Sequence, residues 1–111
     1  MGKPFFTFCD RAVPVQFFEN EPVKVTLIIS DKTDQRILDC YRAFAEADKL
    51  PPEKRLAGYE DALRTFLGRE NADRLLSRVE ECDCFAVTEV FTYLLTEYRE
   101  AKTKKLNGSA R

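Results

Sequence analysis

The stretch FLGRENADRLL, from Phe66 to Leu76, decides how the second half of the chain folds. An apolar helical pattern runs up to Gly68, and a second apolar pattern, with Ala72 and Leu75, begins directly after it. Because glycine adopts the left-handed conformation that follows a helix at the lowest cost, we expect one helix to end at Gly68. The stretch is then either a joint between packed helices, a helix-turn-helix or a catalytic loop.

Three to four helices are expected, because apolar residues recur at intervals of three and four. Each begins at a residue that favours a helix start, either a capping side chain or a proline in the first turn. The predicted helices run from Ser30 or Asp31 to about Lys49, from Pro52 to Gly68, from Asn71 as a cap through Val79, and from Cys84, after Asp83 as a cap, to about Lys104. The first helix carries one apolar stripe, formed by Ile37, Leu38, Tyr41, Phe44 and Ala45.

The first thirty residues have the pattern of β-strands. The runs VPVQFF (Val13 to Phe18) and VKVTLII (Val23 to Ile29) are separated by the turn-forming ENEP, and PFFTFC is a third candidate strand. The predicted fold class is therefore α+β, with an N-terminal β-hairpin or small antiparallel sheet followed by three to four packed α-helices. We expect one domain over residues 1–106 and a flexible tail over residues 107–111.

Length and charge narrow the functional classes. The 111 residues, 44% of them hydrophobic, suffice for one domain with its own core. With 18 basic and 19 acidic residues, no bulk attraction to phosphate backbones or anionic membranes is expected. No apolar run has the roughly 20 residues that span a bilayer, and MGKPFFTFCDR lacks the long apolar centre of a secretory signal. The expected location is the cytoplasm.

The residue types that carry catalysis and cofactor binding are scarce. The chain has no histidine and no glycine-rich phosphate loop. Neighbouring carboxylates, such as Glu80 with Glu81 and Glu97 with Glu100, fall on polar helical faces, where solvent rather than a substrate is expected. We therefore predict that the protein is not an enzyme and uses no cofactor.

Four cysteines leave two interpretations open. Reduced, partly buried thiols are what a cytoplasmic chain normally contains. A zinc site formed by four thiolates is the alternative, but the pair in ECDCF is Cys-x-Cys rather than the usual Cys-x-x-Cys. No metal site is predicted. The cysteines are Cys9, Cys40, Cys82 and Cys84.

DNA binding would require a recognition helix with base-reading or phosphate-binding side chains near its start. Asn71, Arg74 and Arg78 are the candidates, but acidic residues alternate with them, so the local potential is mixed. Nucleic acid is therefore disfavoured as a partner.

Aromatic residues indicate a protein-binding surface. Five of the nine phenylalanines lie within the first eighteen residues, and alternation lets a small sheet bury only one of each adjacent pair. The other phenylalanine of each pair is covered by the protein's own tail or loops or by a partner, or is left as an apolar patch. The apolar face of the last helix likewise belongs either to the core or to an interface. The predicted partner-binding residues are Phe5, Phe6, Phe17, Phe18, Phe91, Leu95 and Tyr98.

The segment ALRTFLGRENADRLLSR, followed by an acidic break and FAVTEVFTYLLTEYREA, resembles the C-terminal half of small phage and prophage tail assembly chaperones of Gram-positive hosts. These proteins have a short β segment, a charged middle helix, an apolar helix that ends in a phenylalanine-x-glycine step, and a final amphipathic helix. The matching positions are Phe66, Gly68, Ala72, Leu75, Leu76, Phe91, Leu94 and Leu95.

The resemblance implies a non-enzymatic protein of the bacterial cytoplasm that binds the tape-measure protein, a long helical polypeptide, during tail morphogenesis. Shielding an apolar helix until it is needed is chemistry that a helix-rich domain with spare apolar surface can perform. The alternatives are a small prophage regulator that binds DNA or a host protein, and a domain with a structural zinc. The oligomeric state stays open.

Overall fold

A computed structural model describes the backbone of residues 11–109 and the side chains of residues 11–105. A two-stranded antiparallel sheet is followed by four helices, so the α+β prediction is confirmed. The candidate strand PFFTFC and residues Phe5, Phe6 and Cys9 lie outside the described residues. The elements are β1 (Ala12–Phe17), β2 (Val23–Ile28), α1 (Asp31–Ala47), α2 (Pro52–Leu67), α3 (Arg69–Leu76) and α4 (Cys84–Ser109).

In the β-hairpin every second side chain points toward the helices, as the sequence predicts. Val15 pairs with Val25 at its centre, and both side chains are buried, whereas their neighbours along each strand are exposed. Phe17 faces inward beside Val23, and Phe18, which begins the turn, has a φ of 65°. A positive φ is strained for a bulky residue and persists only when surrounding contacts hold it.

Helix α1 begins at the predicted cap. The Ser30 side chain accepts a hydrogen bond from the Thr33 amide at 3.1 Å, which satisfies one of the free amides at the helix start. Its buried face includes Ile37 and Cys40, with Phe44 half-buried. The predicted stripe is wrong in part, because Leu38, Tyr41 and Ala45 lie on an exposed strip one residue further round the helix.

Helices α1 and α2 pack closely because of Gly58. A Cβ atom at this position would lie 2.7 Å from the Cβ of Ala47 and 3.0 Å from a methyl group of Leu50. Glycine lowers the stability of the helix by about 1 kcal/mol relative to alanine, but at this position a larger residue would prevent the close contact between the two helices.

The joint at Gly68 differs from the prediction in its backbone conformation and in the start of the next helix. Gly68 ends α2 as expected, but with φ 86° and ψ 155° it is extended rather than left-handed helical, a region that only glycine adopts readily. The same residue also precedes α3 directly, so Asn71 is not the cap and lies in the first turn instead. There its side-chain amide donates to the Leu67 carbonyl at 3.4 Å.

Helix α4 starts as predicted, since Asp83 accepts a hydrogen bond from the Ala86 amide at 2.8 Å. It continues to Ser109, five residues beyond the predicted end at Lys104. Its inner face contributes Val87, Leu94 and Tyr98 to a core shared with both strands and the other helices. None of the helices in the described part of the chain is long and apolar enough to cross a membrane.

Candidate protein-binding groove

Five aromatic rings meet where α1, α2 and α4 converge. Phe91 on α4 is the centre, with ring centroids 5.2 Å from both Tyr41 and Phe44 and 5.7 Å from Phe66. Phe44 also contacts Tyr59 at 4.9 Å. The rings meet edge to face or tilted, the arrangement that aromatic pairs favour.

An open groove lies above these rings, between α1 and α4, with a volume of about 440 Å³. This volume is within the range of pockets that bind ligands. Phe91 and Leu95 form its floor, and threonines of α4 form one rim. We call it the aromatic groove, and its lining residues are Tyr41, Phe44, Tyr59, Thr88, Phe91, Thr92, Leu95, Thr96 and Arg99.

Exposed apolar side chains extend the groove at both ends. Leu38 is 51% exposed and precedes Tyr41, itself 43% exposed, by one helical turn. Phe85 is 72% exposed and lies one turn before Thr88, a lining residue of α4. Contiguous apolar surface of this kind marks binding sites more often than isolated exposed residues do.

A polar contact between α1 and α4 lies beyond one end of the groove. The Tyr98 hydroxyl donates to Asp34 at 2.8 Å and also lies 3.3 Å from the amide and the carbonyl of Ser30. Lys102 donates to the other oxygen of Asp34 at 2.7 Å. The hydrogen bond from Lys102 lowers the pKa of Asp34, and burial raises the pKa of Tyr98 to about 12. We call these residues the polar clamp.

The groove itself carries a single charge. Arg99 lines its end nearest the polar clamp, and no carboxylate among the described residues lies within ion-pairing distance of it. At the opposite end the Tyr59 hydroxyl donates to Asp48, which raises the pKa of Tyr59. The groove therefore presents an apolar surface with one uncompensated cation.

A second aromatic surface, the hairpin patch, lies on the other side of α4 and consists of Phe17, Phe18, Tyr93 and Arg78. Phe17 contacts Tyr93 at 5.1 Å, and the Tyr93 hydroxyl donates to the Gln16 carbonyl at 3.3 Å. Arg78 lies 4.8 Å above the Phe18 ring, a cation–π distance.

The arginines proposed for DNA recognition are engaged by the hairpin. Arg78 donates to the carbonyls of Glu21 and Asn20 at 2.7 and 3.0 Å. Arg74 donates to the Lys24 carbonyl at 2.9 Å and to the Asn71 side chain at 3.2 Å. These side chains hold the turn and the outer edge of β2, so all three candidates make contacts within the fold.

The described cysteines are unpaired thiols in different environments. Cys40 is fully buried in the core, and burial raises its pKa to about 12. Cys82 is partly buried beside Glu60, and burial is the main cause of its raised pKa. Within residues 11–109 no three side chains of metal-binding type lie close enough together to hold an ion.

The predicted partner-binding residues that the structure describes fall into three places. Phe91 and Leu95 form the groove floor, although they are only 4% and 7% exposed. Tyr98 is buried and belongs to the polar clamp rather than to a free surface. Phe17 and Phe18 lie in the hairpin patch, and as alternation predicts, only Phe18 is exposed.

Sequence reasoning missed the groove's other wall and its charge. The sequence pattern places Tyr41 and Phe44 in one stripe with Leu38, and it identifies neither Tyr59 nor Arg99 as a site residue. The signal was present, because the apolar positions of α1 span more of the helix circumference than one buried face needs.

No known protein family, curated protein or solved structure matches this chain.

Proposed function

We propose that this protein is a non-catalytic binding protein that holds an amphipathic helix of a partner protein in the aromatic groove. The observation that carries the proposal is the groove itself: an aromatic floor, exposed Tyr41 on one rim with exposed Leu38 one helical turn away, and one charge without an ion-pair partner, Arg99. Insertion of an apolar helix face into such a groove is a recurring mode of peptide recognition.

The dimensions and charge define the partner helix. From Thr88 to Arg99 the groove follows α4 for about 16 Å, at 1.5 Å per residue. Three turns of a helix fit this length, with apolar anchors three and four residues apart. A carboxylate beyond the last anchor would lie opposite Arg99 and fix the direction of the bound helix by charge complementarity.

The specific form of the proposal is a phage or prophage tail assembly chaperone acting in the bacterial cytoplasm. The resemblance of residues 62–101 to these chaperones names the tape-measure protein as the partner, and a long helical polypeptide with an apolar stripe is what the groove fits. Bound in this way, the stripe is shielded from water until tail tube subunits replace the chaperone. A regulator that binds DNA has less support, since Arg74 and Arg78 already donate to the hairpin.

The test is co-expression of the chain with a tape-measure-like protein encoded beside it, followed by affinity purification and measurement of the soluble fraction. A soluble complex is expected. Tyr41→Ser and Arg99→Glu should each weaken binding by about tenfold or more, because both remove contacts at the groove rather than in the core. Binding is then quantified with overlapping synthetic peptides of the partner.

Tyr93→Ser is the matched control. Tyr41 and Tyr93 are 43% and 41% exposed, and each rests edge-on against a phenylalanine at 5.2 and 5.1 Å. Loss of binding in the Tyr93 variant alone would move the site to the hairpin patch. If the tape-measure protein stays insoluble and no peptide binds, the chaperone proposal is rejected. Capture of a host protein that depends on Tyr41 would instead favour the regulator.

A further inference from the structure

A second cleft, separate from the aromatic groove, lies at the end of the sheet. It has a volume of about 420 Å³ and is bounded by β2, the start of α1 and the joint between α2 and α3. Buried apolar side chains, including Leu27, Phe66 and Leu67, form its floor. We call it the basic cleft because its rim carries Arg11, Lys32 and Arg36, while no acidic residue is among the described residues that line it.

Two of the charges at the basic cleft, Lys32 and Arg36, have no ion-pair partner among the described residues. Lys32 and Arg36 are one turn apart on α1, a spacing at which like charges repel. No described carboxylate lies within ion-pairing distance of either side chain, whereas the other basic residues of α1 are paired, Arg42 with Asp39 and Lys49 near its end with Glu46. The two basic residues of α1 without a counter-charge among the described residues are thus the two that border the cleft.

Three of the four neutral polar side chains that line the cleft, Ser30, Thr33 and Asn71, already make hydrogen bonds inside the fold. Thr33 donates to the Ile28 carbonyl at 2.5 Å, and the Asn71 amide donates to the Leu67 carbonyl at 3.4 Å. A ligand would therefore be selected by charge and by apolar contact rather than by a pattern of neutral hydrogen bonds.

We propose that the basic cleft binds a small organic anion: one phosphate or carboxylate group carried on a compact apolar body. The planar guanidinium of Arg36 can make two parallel hydrogen bonds to such a group, and Lys32 adds a point charge. The apolar body would rest on Leu27, Phe66 and Leu67. This site is independent of the aromatic groove, so either proposal can fail without the other.

Phenyl phosphate is the probe, and benzyl alcohol is its uncharged counterpart of similar size. Titration into the ¹⁵N-labelled full chain should shift the amide resonances of Thr26, Ser30 and Asn71, which border the cleft. Phenyl phosphate should bind about tenfold more tightly than benzyl alcohol, and added salt should weaken only the phosphate.

The double variant Lys32→Gln/Arg36→Gln should weaken phenyl phosphate binding by about tenfold or more. Arg42→Gln/Lys49→Gln is the control, because it removes the same net charge from α1 and its C-terminal end without touching the cleft, and its affinity should stay within about twofold. Three results would each overturn the proposal: equal affinity for the two probes, equal losses in the two double variants, or no saturable shift up to about 10 mM probe.

Discussion

Helix α4 has an aromatic surface on each side, and the two are built from the same kind of contact. In the aromatic groove Tyr41 rests edge-on against Phe91, and in the hairpin patch Tyr93 rests edge-on against Phe17. Their surroundings differ. The Tyr93 hydroxyl donates to a β1 carbonyl, whereas no described residue lies within hydrogen-bond distance of the Tyr41 hydroxyl.

The charged residues of the two surfaces differ in the same way. Arg78 covers Phe18 and donates two hydrogen bonds to the hairpin turn, while Arg99 borders the groove without an ion-pair partner among the described residues. An exposed aromatic ring is therefore informative about binding only together with its polar neighbours. Where those neighbours are used within the fold the surface is structural, and where they are unused it is available to a partner.

The largest expected difference between the two surfaces concerns stability. Phe91→Ala removes a ring that is 4% exposed and touches three other rings, so we expect a loss of about 3–5 kcal/mol in the free energy of unfolding. Phe18→Ala should cost about 1 kcal/mol or less, because that ring is 37% exposed. Urea unfolding of both variants measures the difference, and similar losses would contradict the assignment of Phe91 to the core.

The next prediction compares the contributions of Arg78 and Arg99 to stability. Arg78→Ala should lower the free energy of unfolding by about 1–2 kcal/mol, since it removes hydrogen bonds to two turn carbonyls and the contact with Phe18. Arg99→Ala should change it by about 0.5 kcal/mol at most. Thermal unfolding followed by circular dichroism compares them. A larger loss for Arg99 would show that this residue is structural after all.

Removing the carboxylate of the polar clamp should have a smaller and pH-dependent effect. Lys102 lowers the pKa of Asp34 in the folded chain, so the unfolded chain takes up a proton at a higher pH than the folded chain does. The stabilisation is complete above the ordinary value of 3.8 and is lost as the pH falls through the lowered value. Asp34→Asn should cost about 1 kcal/mol at neutral pH, a figure reduced for the partial exposure of the pair.

Unfolding free energies at pH 7 and near pH 3 test this dependence. The difference between the native protein and Asp34→Asn should shrink at the lower pH. Asp39→Asn, which affects only exposed contacts with Gln35 and Arg42 on the same helix, is the control and should show little change at either pH. A gap that stays constant with pH would refute the role of the Asp34 charge.

The smallest expected effect on stability comes from removing the hydroxyl groups of Tyr41 and Tyr93. Tyr93→Phe removes the hydrogen bond to the Gln16 carbonyl and should cost about 0.5 kcal/mol. Tyr41→Phe should leave the free energy of unfolding unchanged within about 0.2 kcal/mol, because its hydroxyl is open to solvent. Replicate urea titrations resolve the two, and an equal cost would mean that Tyr41 also has a structural bond.

Local chemistry made most of the fold predictable. The alternation of Val23, Val25 and Leu27, the caps at Ser30 and Asp83, and the helix end at Gly68 each depend on residues close in sequence. The start of α3 was misplaced because Gly68 adopts an extended conformation with positive φ, which lets the next helix begin without a separate capping residue. Nothing in residue type distinguishes that geometry from the left-handed one.

The groove was less predictable than the fold because it depends on spacing between helices. Phe91 and Leu95 were identified from the apolar face of α4, but the same pattern does not reveal that α1 stands apart from that face. The apolar residues of α1 form two adjacent strips, Ile37 with Cys40 inward and Leu38 with Tyr41 outward. Only the packed structure shows that one strip meets the core and the other the groove.

The polar clamp joins residues far apart in the chain, with Tyr98 and Ser30 separated by 68 positions. The hairpin and the α1–α2 pair, by contrast, form from neighbouring segments, which favours their early formation. During synthesis α4 is the last described element to leave the ribosome. Until it packs, Phe44 and Phe66 have no contact with Phe91. No nascent chain that ends before Arg99 has the complete groove, so the partner binding proposed for it would require the synthesis of α4 first.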